Sequence, residues 1–475
     1  MYVKFILPAL VEAKAPYWRP IKYALFPPLG LATLAAFLVP EDEAVIVDEH
    51  VEEIDLNDQP DLVVIQVYIT NAYRAYALAD HYRAQGSYVA LGGLHVTSLP
   101  EEAAQHADSI FLGPGEESFP RFLKEFREHV PQPRYCSLSR TLTGLPPPRR
   151  DLIKRHLYLV PNSIVVSRGC PHHCDFCYKD NFFQGGKSFY VQQVDEALHN
   201  IAQLPGKHLY FLDDHLLGHR RFSAALFDGM SGMGRLWQAA ATVDSVLRDN
   251  LIEKAANAGL RSLFIGFETL GVSALCGVNK KHNLNQNYTR AIQRLQDLGI
   301  MINASFVFGL DGEEPSVFSR TVEWAIEQGL TTATFHILTP YPGTPLHKRL
   351  VAAGRILHQN WDFYDTRHVV YRPLGMDADT LQTGYHWAYQ EFYRWSNLFR
   401  GSAHHHSISY RLRHLAYSIG WKKLEPFWNL IVSCHQVRMM LPVLEMVLAS
   451  SRPSHNSSRF TPTSQTENIF ESLFN

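Results

Sequence analysis

The sequence predicts an α/β protein with two successive strand–helix alternations followed by a helical end. Three observations predict it. Short apolar, β-branched runs alternate with helix-period segments over residues 1–140 and again over residues 161–365. An aperiodic stretch containing GLPPPRR separates the two. From about residue 380 onward the strand-like runs stop and only helical patterns remain.

In the first alternation, strands are expected at residues 3–8, 44–48, 61–68, 88–92 and 109–112. Helices are expected at residues 30–38, 71–85, 99–105 and 117–129. The run DLVVIQVY is apolar on both faces, as a strand buried inside a parallel sheet must be. This reads as a doubly wound, Rossmann-like domain over residues 1–140. Ligands of such sheets sit at strand carboxyl ends. The turns there carry Gly92, Gly93, Gly113 and Gly115, which let the backbone approach a ligand closely. Residues 141–160 read as a linker.

In the second alternation, strands are expected at residues 163–167, 208–213, 237–243, 262–268, 301–308 and 332–338. Helices at residues 191–203, 221–230, 245–258, 285–298 and 316–328 lie between them. Six strands are fewer than a closed eight-fold barrel needs, so residues 161–365 predict a partial (β/α)6 TIM-type barrel. Residues 366–450 predict a helical C-terminal domain that caps the barrel mouth, and the Ser/Thr/Asn-rich residues 451–475 a disordered tail. Trp387, Tyr389, Phe392, Tyr393 and Trp395 fall at the spacing of a helix core, with a pocket wall as the alternative.

Composition narrows the function classes. Of the 475 residues, 46% are hydrophobic and 19% charged, which excludes disorder for most of the chain. Lys+Arg number 44 against 46 Asp+Glu, so no basic surplus exists for general nucleic-acid binding. Six cysteines are too few for a disulfide scaffold, and three of them cluster, which points to metal in a reducing, cytoplasmic setting. Cys136, Cys276 and Cys434 are expected to be ordinary packed thiols. The N-terminus lacks a secretory layout, and no 18-residue window is apolar enough to span a membrane. The apolar blocks FWNLIV and MMLPVLEMVLA suit peripheral contact with a membrane surface. The histidines at 404–406 read as an exposed polar loop.

The informative segment is SRGCPHHCDFCYKD, where Cys170, Cys174 and Cys177 form C-x3-C-x2-C directly after the first barrel strand. Three cysteines on a [4Fe–4S] cluster leave one iron without a protein ligand. A structural zinc site would instead close its fourth position, here with His172 or His173. The segment resembles the radical S-adenosylmethionine (SAM) superfamily, whose C-x3-C-x-aromatic-C signature is met by Cys170, Cys174, Phe176 and Cys177. The resemblance implies an open iron that chelates SAM and, with a flavodoxin- or ferredoxin-like electron donor, its reductive cleavage to methionine and a 5′-deoxyadenosyl radical. It also implies SAM contacts from Asp213 or Asp214 in FLDDH, from Glu268 in GFET and from Gly309 in VFGLDGE. TPYPGTPLH resembles the family's closing turn after the sixth strand.

Residues 1–140 resemble the cobalamin-binding domain of one branch of this superfamily, through PPLGLATLAAFL, ALGGLHVTSLPEEA and ADSIFLGPGEESFPRFL. In that resemblance the glycine turns lie against the nucleotide tail and corrin edge. The branch often carries Asp-x-His-x-x-Gly after the first strand; ALVEAKAPYWRP has none, and the near-match Asp48-Glu-His50 reads as coincidence. The resemblance implies cobalamin bound with no protein ligand below, and a degenerate domain that only packs on the barrel is the alternative. Together the parts imply methylation of an unactivated carbon on a small or lipophilic substrate. Ring closure or rearrangement with the same cofactors, and a zinc-stabilised binding module, are the alternatives. No residue is assigned as a general base.

Overall fold

The computed structural model describes residues 1–10, 21–284, 286–405 and 407–449. The loop expected to follow the first strand, His406 and the expected tail lie outside the described residues.

The first sheet is wholly parallel. Its strands are β1 (Tyr2–Leu7), β2 (Glu43–Asp48), β3 (Leu62–Gln66), β4 (Tyr88–Gly92), β5 (Ser109–Leu112) and β6 (Arg134–Cys136), in the order 2-1-3-4-5-6. The order reverses beside β1, so its switch point lies between the carboxyl ends of β1 and β3. Val3, Phe5, Leu62 and Val64 bury against one set of helices, and Ile6, Val63 and Ile65 against the other. This two-sided burial explains the continuous apolar runs. β6 has no counterpart in the sequence reading, because three residues at a sheet edge carry too little periodicity. The helix expected at residues 99–105 begins earlier, as Leu94–Ser98 and then Pro100–Ala103; Pro100, which has no N–H to donate, opens the second piece at its first position.

The second sheet carries β7 (Ser163–Ile164), β10 (His208–Phe211), β11 (Leu236–Ala241), β12 (Leu260–Glu268), β13 (Met301–Phe308) and β14 (Thr332–Ile337), all parallel and in chain order. It is an open six-stranded half barrel. Its outer face stacks Phe267, Phe306 and Phe335 at 5.8 Å between successive centroids, closed over by Trp324. Its inner face is polar, with Ser262, Asn303 and Thr332 bonded side by side across three strands.

The strand expected at 163–167 is broken. β8 (Ser167–Gly169) leaves the barrel and pairs antiparallel with β9 (Phe189–Val191). The buried Asp213 carboxylate causes the break, because it accepts the backbone N–H of Val166 and Ser167 that would otherwise continue the ladder. The helix expected at 245–258 is also split, into Val243–Leu247 and Leu251–Asn257, around Asp249 at φ +43°.

The C-terminal helices require a correction, since they close the end of the barrel opposite the mouth. Polar groups at strand starts need partners, and residues 413–445 supply them. Gln238 donates to the Tyr417 hydroxyl at 3.0 Å, Arg413 to the Gly299 carbonyl at 2.6 Å, and the His208 N–H reaches Glu445 at 3.2 Å. Ala378–Phe392 instead flanks β14, where the Tyr389 and Tyr393 hydroxyls bond the free backbone edge at Phe335 and Ala333. Tyr389, Phe392 and Tyr393 are thus core or edge-sealing residues, while Trp387 and Trp395 stand exposed. Trp428, Val432 and Val437 pack into the core of the first sheet. Cys136, Cys276 and Cys434 are all exposed rather than packed, the first on an edge strand and the others at or just beyond helix ends. His405 is turned onto the buried His414 at 3.1 Å. Among the described residues no helix is long and apolar enough to cross a membrane.

Candidate active site

The cysteine loop is stapled at its base and docked along its length. β8 and β9 pair on either side of residues 170–188. Gly169 precedes the first cysteine at φ +77°, and a Cβ there would fall 1.8 Å from the Ser188 carbonyl oxygen, so only glycine permits the closure. Within the loop, Asp175 N–H donates to Val278, Leu346 N–H donates to the Asp175 carbonyl, and Asn279 donates to the His173 carbonyl. Cys177 N–H closes a turn on the Cys174 carbonyl at 3.0 Å, and Lys179 Nζ holds the Cys170 carbonyl at 2.9 Å. The loop therefore lies across the carboxyl ends of the barrel strands. Phe176 packs against the barrel core.

The three thiols are half-buried. Burial pushes the Cys170 thiol up, Cys174 to about 11 and Cys177 to about 12; the Lys179 and Lys280 charges pull the first two partly back, and the Lys179 backbone N–H the third. Buried thiolates without a positive partner are costly, so the donor set suits a cationic iron–sulfur cluster. Among the described residues no three His, Cys, Asp or Glu side chains are placed to hold one metal ion. A cubane does not ask for that convergence, since each thiolate binds its own iron. Of the two histidines that would complete a zinc site, His173 has a ring nitrogen engaged, while the buried Nε2 of His172 has no hydrogen-bond partner among the described residues. His173 bonds Asp180 at 2.9 Å, and His172 stacks on His282 at 3.7 Å and on His215 at 5.7 Å.

The acidic candidates separate sharply. Asp213 is 3% exposed and spends its oxygens on Val166, Ser167 N–H and the Ser167 hydroxyl, so it shapes the loop base. Asp214 is exposed and accepts from Gly169 N–H and the Tyr178 hydroxyl, both at 3.0 Å. It thereby ties the two ends of the cysteine segment together. Glu268 sits where the β12–β13 register slips, at φ +64°, and forms a buried ion pair with Lys280. Gly266 leaves the room this needs, because a Cβ there would collide with the Glu268 carboxylate at 2.4 Å.

Gly309 has φ +92°, and its neighbours tie two strand ends together. Its N–H and that of Leu310 donate to Glu313, whose other oxygen accepts from Thr269 at 2.7 Å. Burial raises the Glu313 carboxyl to about 7. Sequence reasoning missed Lys280, Thr269 and Glu313 as members of this site. Glu313 and Thr269 lay inside the quoted motifs, whereas Lys280 in GVNKKH offered no signal.

The first sheet presents its carboxyl ends to this loop. Gly113 at φ +74° lies against the Phe182 carbonyl, Glu116 pairs with Arg168, and Asn181 bonds Ser98 at 2.9 Å. Gly92 packs on Phe111, Gly93 on the Val67 backbone and Gly115 on Leu34. A cleft of ≈ 640 Å³ opens between the sheets beside β7, walled by Pro27, Gly30, Gln66, Tyr68, Pro147 and Leu212. A second cavity of ≈ 470 Å³ shares Tyr68 and reaches Tyr178, the residue after Cys177.

Residues 164–325 match the family model of the Radical SAM superfamily. The bacteriochlorophyllide d C-12(1)-methyltransferase of Chlorobaculum tepidum is 29% identical over 353 residues, covering 72% of this chain and 76% of that protein. The bacteriochlorophyllide d C-8(2)-methyltransferase of the same organism is 27% identical, covering 83% of this chain and 91% of that protein. Among solved structures, the cobalamin-dependent SAM radical enzyme OxsB with aqua-cobalamin and SAM bound superposes with a TM-score of 0.65 at 14% identity, covering 90% of this chain and 72% of that one.

Proposed function

From the premise that this chain is a radical SAM enzyme, we propose that it is a cobalamin-dependent C-methyltransferase acting on an unactivated carbon of a small or lipophilic substrate. The single observation that carries the reading is the apposition of two carboxyl-end surfaces. The first sheet's switch point, the shared Tyr68 and the cysteine loop border the same pair of cavities.

Cys170, Cys174 and Cys177 would hold the [4Fe–4S] cluster, whose open iron supplies reductive cleavage of SAM. Asp214 orients both ends of their loop. Glu268, held in its ion pair with Lys280, would offer a polar contact to SAM at the barrel mouth. Gly309, with the strand ends that Glu313 bridges, would form part of the wall against SAM. Residues 1–140 would hold cobalamin, the methyl carrier, across the ≈ 640 Å³ cleft. Gly92, Gly93, Gly113 and Gly115 act there by letting strand ends and neighbouring segments pack closely. The division into residues 1–140, 161–365 and 366–450 follows the same roles: carrier, radical generation and closure. Apposition shortens the path between methyl donor and substrate radical, an effect of proximity.

The test uses the full chain reconstituted anaerobically with iron and sulfide. With reductant and SAM it should release 5′-deoxyadenosine, and it should bind cobalamin saturably by absorbance titration. Absence of deoxyadenosine would overturn the radical assignment. Deoxyadenosine without cobalamin binding would overturn the methyltransferase assignment alone.

A further inference from the structure

A six-stranded barrel leaves two open edges. The edge at β7 faces the first sheet. The edge at β14 is closed by side chains, and a second cleft of ≈ 500 Å³ opens beside it. Its wall is aromatic, because Tyr389 and Tyr393 stand along the strand to bond Phe335 and Ala333.

Its rim is cationic. Lys22, Arg367, Lys422 and Lys423 border it, against two carboxylates, Asp365 and Glu425. Both carboxylates are engaged within the protein, as is Lys422, the partner of Glu425, and the Lys423 ammonium lies over the Trp395 ring at 5.4 Å; the cations still outnumber the carboxylates. Asp365 accepts from the Arg367 and His368 N–H groups and the His368 ring, and Glu425 pairs with Lys422 at 2.6 Å. In a chain of net charge −2 this is a local concentration of positive charge.

The cleft also leads toward the cysteine loop. It shares Lys22, Asp365 and Thr366 with the ≈ 470 Å³ cavity that reaches Tyr178. Thr366 stands at that junction with φ +64°, a conformation a β-branched residue rarely adopts. Its carbonyl accepts from Ile337 N–H at 2.7 Å, and its hydroxyl bonds His336, on the inner face of β14, at 3.0 Å. Strain of this kind persists where the surroundings over-determine it, often at ligand sites.

We propose that the cleft beside β14 is the substrate-recognition site, and that it takes an aromatic molecule bearing a carboxylate. The carboxylate lies at the rim between Arg367 and Lys423, and the apolar body runs along the tyrosine wall toward the cysteine loop. The inference rests on the radical SAM reading for its use of the word substrate, but the binding itself requires no turnover.

The test uses the reconstituted full chain and two probes, 1-pyrenebutyrate and the uncharged 1-pyrenebutanol, followed by pyrene fluorescence. The acid should bind about tenfold more tightly than the alcohol, as one charge-assisted contact implies. Arg367→Gln and Lys423→Gln should each remove most of that preference, while Lys254→Gln on the far surface should leave it intact. If a rim variant fails to fold, a chloride titration of the wild type replaces it, and rising salt should weaken the acid and spare the alcohol. Equal binding of acid and alcohol, or rim variants that keep the preference, would overturn the proposal. Absence of the preference in the wild type, with normal 5′-deoxyadenosine release, defeats this inference alone. A retained preference with no deoxyadenosine defeats the radical assignment and leaves the acid site standing.

Discussion

The two ends of the half barrel are built from similar residues and do opposite things. At the strand starts, His208, Gln238, Ser262, Asn303 and Thr332 are polar side chains in a lumen, bonded to one another or to residues 413–445. At the strand ends the polar groups serve the cysteine loop. Asp214 pins it, and Glu268 and Lys280 form a buried pair beside it. The strand-start groups hold the fold together, and the strand-end groups hold a loop in place. This is the division expected of parallel α/β barrels, with chemistry at the carboxyl face and stability at the amino face.

The largest effect tests the mouth. Cys174→Ala should drop 5′-deoxyadenosine release to background while leaving the thermal transition nearly in place. A large loss of folded protein would mean the thiol is structural, and the contrast between the two ends would blur. Asp214→Ala should lower deoxyadenosine release about 10- to 100-fold, the usual effect of losing a group that orients metal ligands. Unchanged release would remove Asp214 from the site.

The next change tests the opposite end. Tyr417→Phe takes away the hydroxyl that Gln238 bonds, and should cost about 1–3 kcal/mol in denaturant unfolding with little change in deoxyadenosine per folded molecule. A stable variant with impaired chemistry would invert the comparison.

The smallest effect is a pH slope. Burial raises the Glu313 carboxyl from its ordinary 4.5 to about 7, so the folded chain holds a proton the unfolded chain releases. Its contribution to stability is full below pH 4.5 and is lost as pH rises toward about 7. Glu313→Gln, which cannot ionise, should flatten that part of the stability profile. An unchanged slope would show that Glu313 is ionised throughout.

How much of this was readable in the sequence depends on the range of the determining contact. β4, β5 and β13 were placed to the residue, because runs such as YVALG and SIFL carry their burial locally. The cysteine spacing was equally local. What escaped was set by distant partners. The break after Ile164 depends on Asp213, and the fate of Asp213 itself, absorbed into the loop base, could not be told from that of its neighbour Asp214. Lys280 joins the site only because the β12–β13 register slip turns Glu268 toward it. The C-terminal helices were recognised as helices, but their destination follows from polar side chains at strand starts that no periodicity announces. The same tyrosines that read as a helix core seal the edge of β14, because an open barrel leaves backbone groups there to satisfy.

The most direct measurement is the metal content and reduced-state electron paramagnetic resonance of the anaerobically purified chain, recorded with and without SAM. The account predicts about four irons per chain and a cluster signal that shifts when SAM is added. Stoichiometric zinc with no iron, or an iron signal indifferent to SAM, would contradict it.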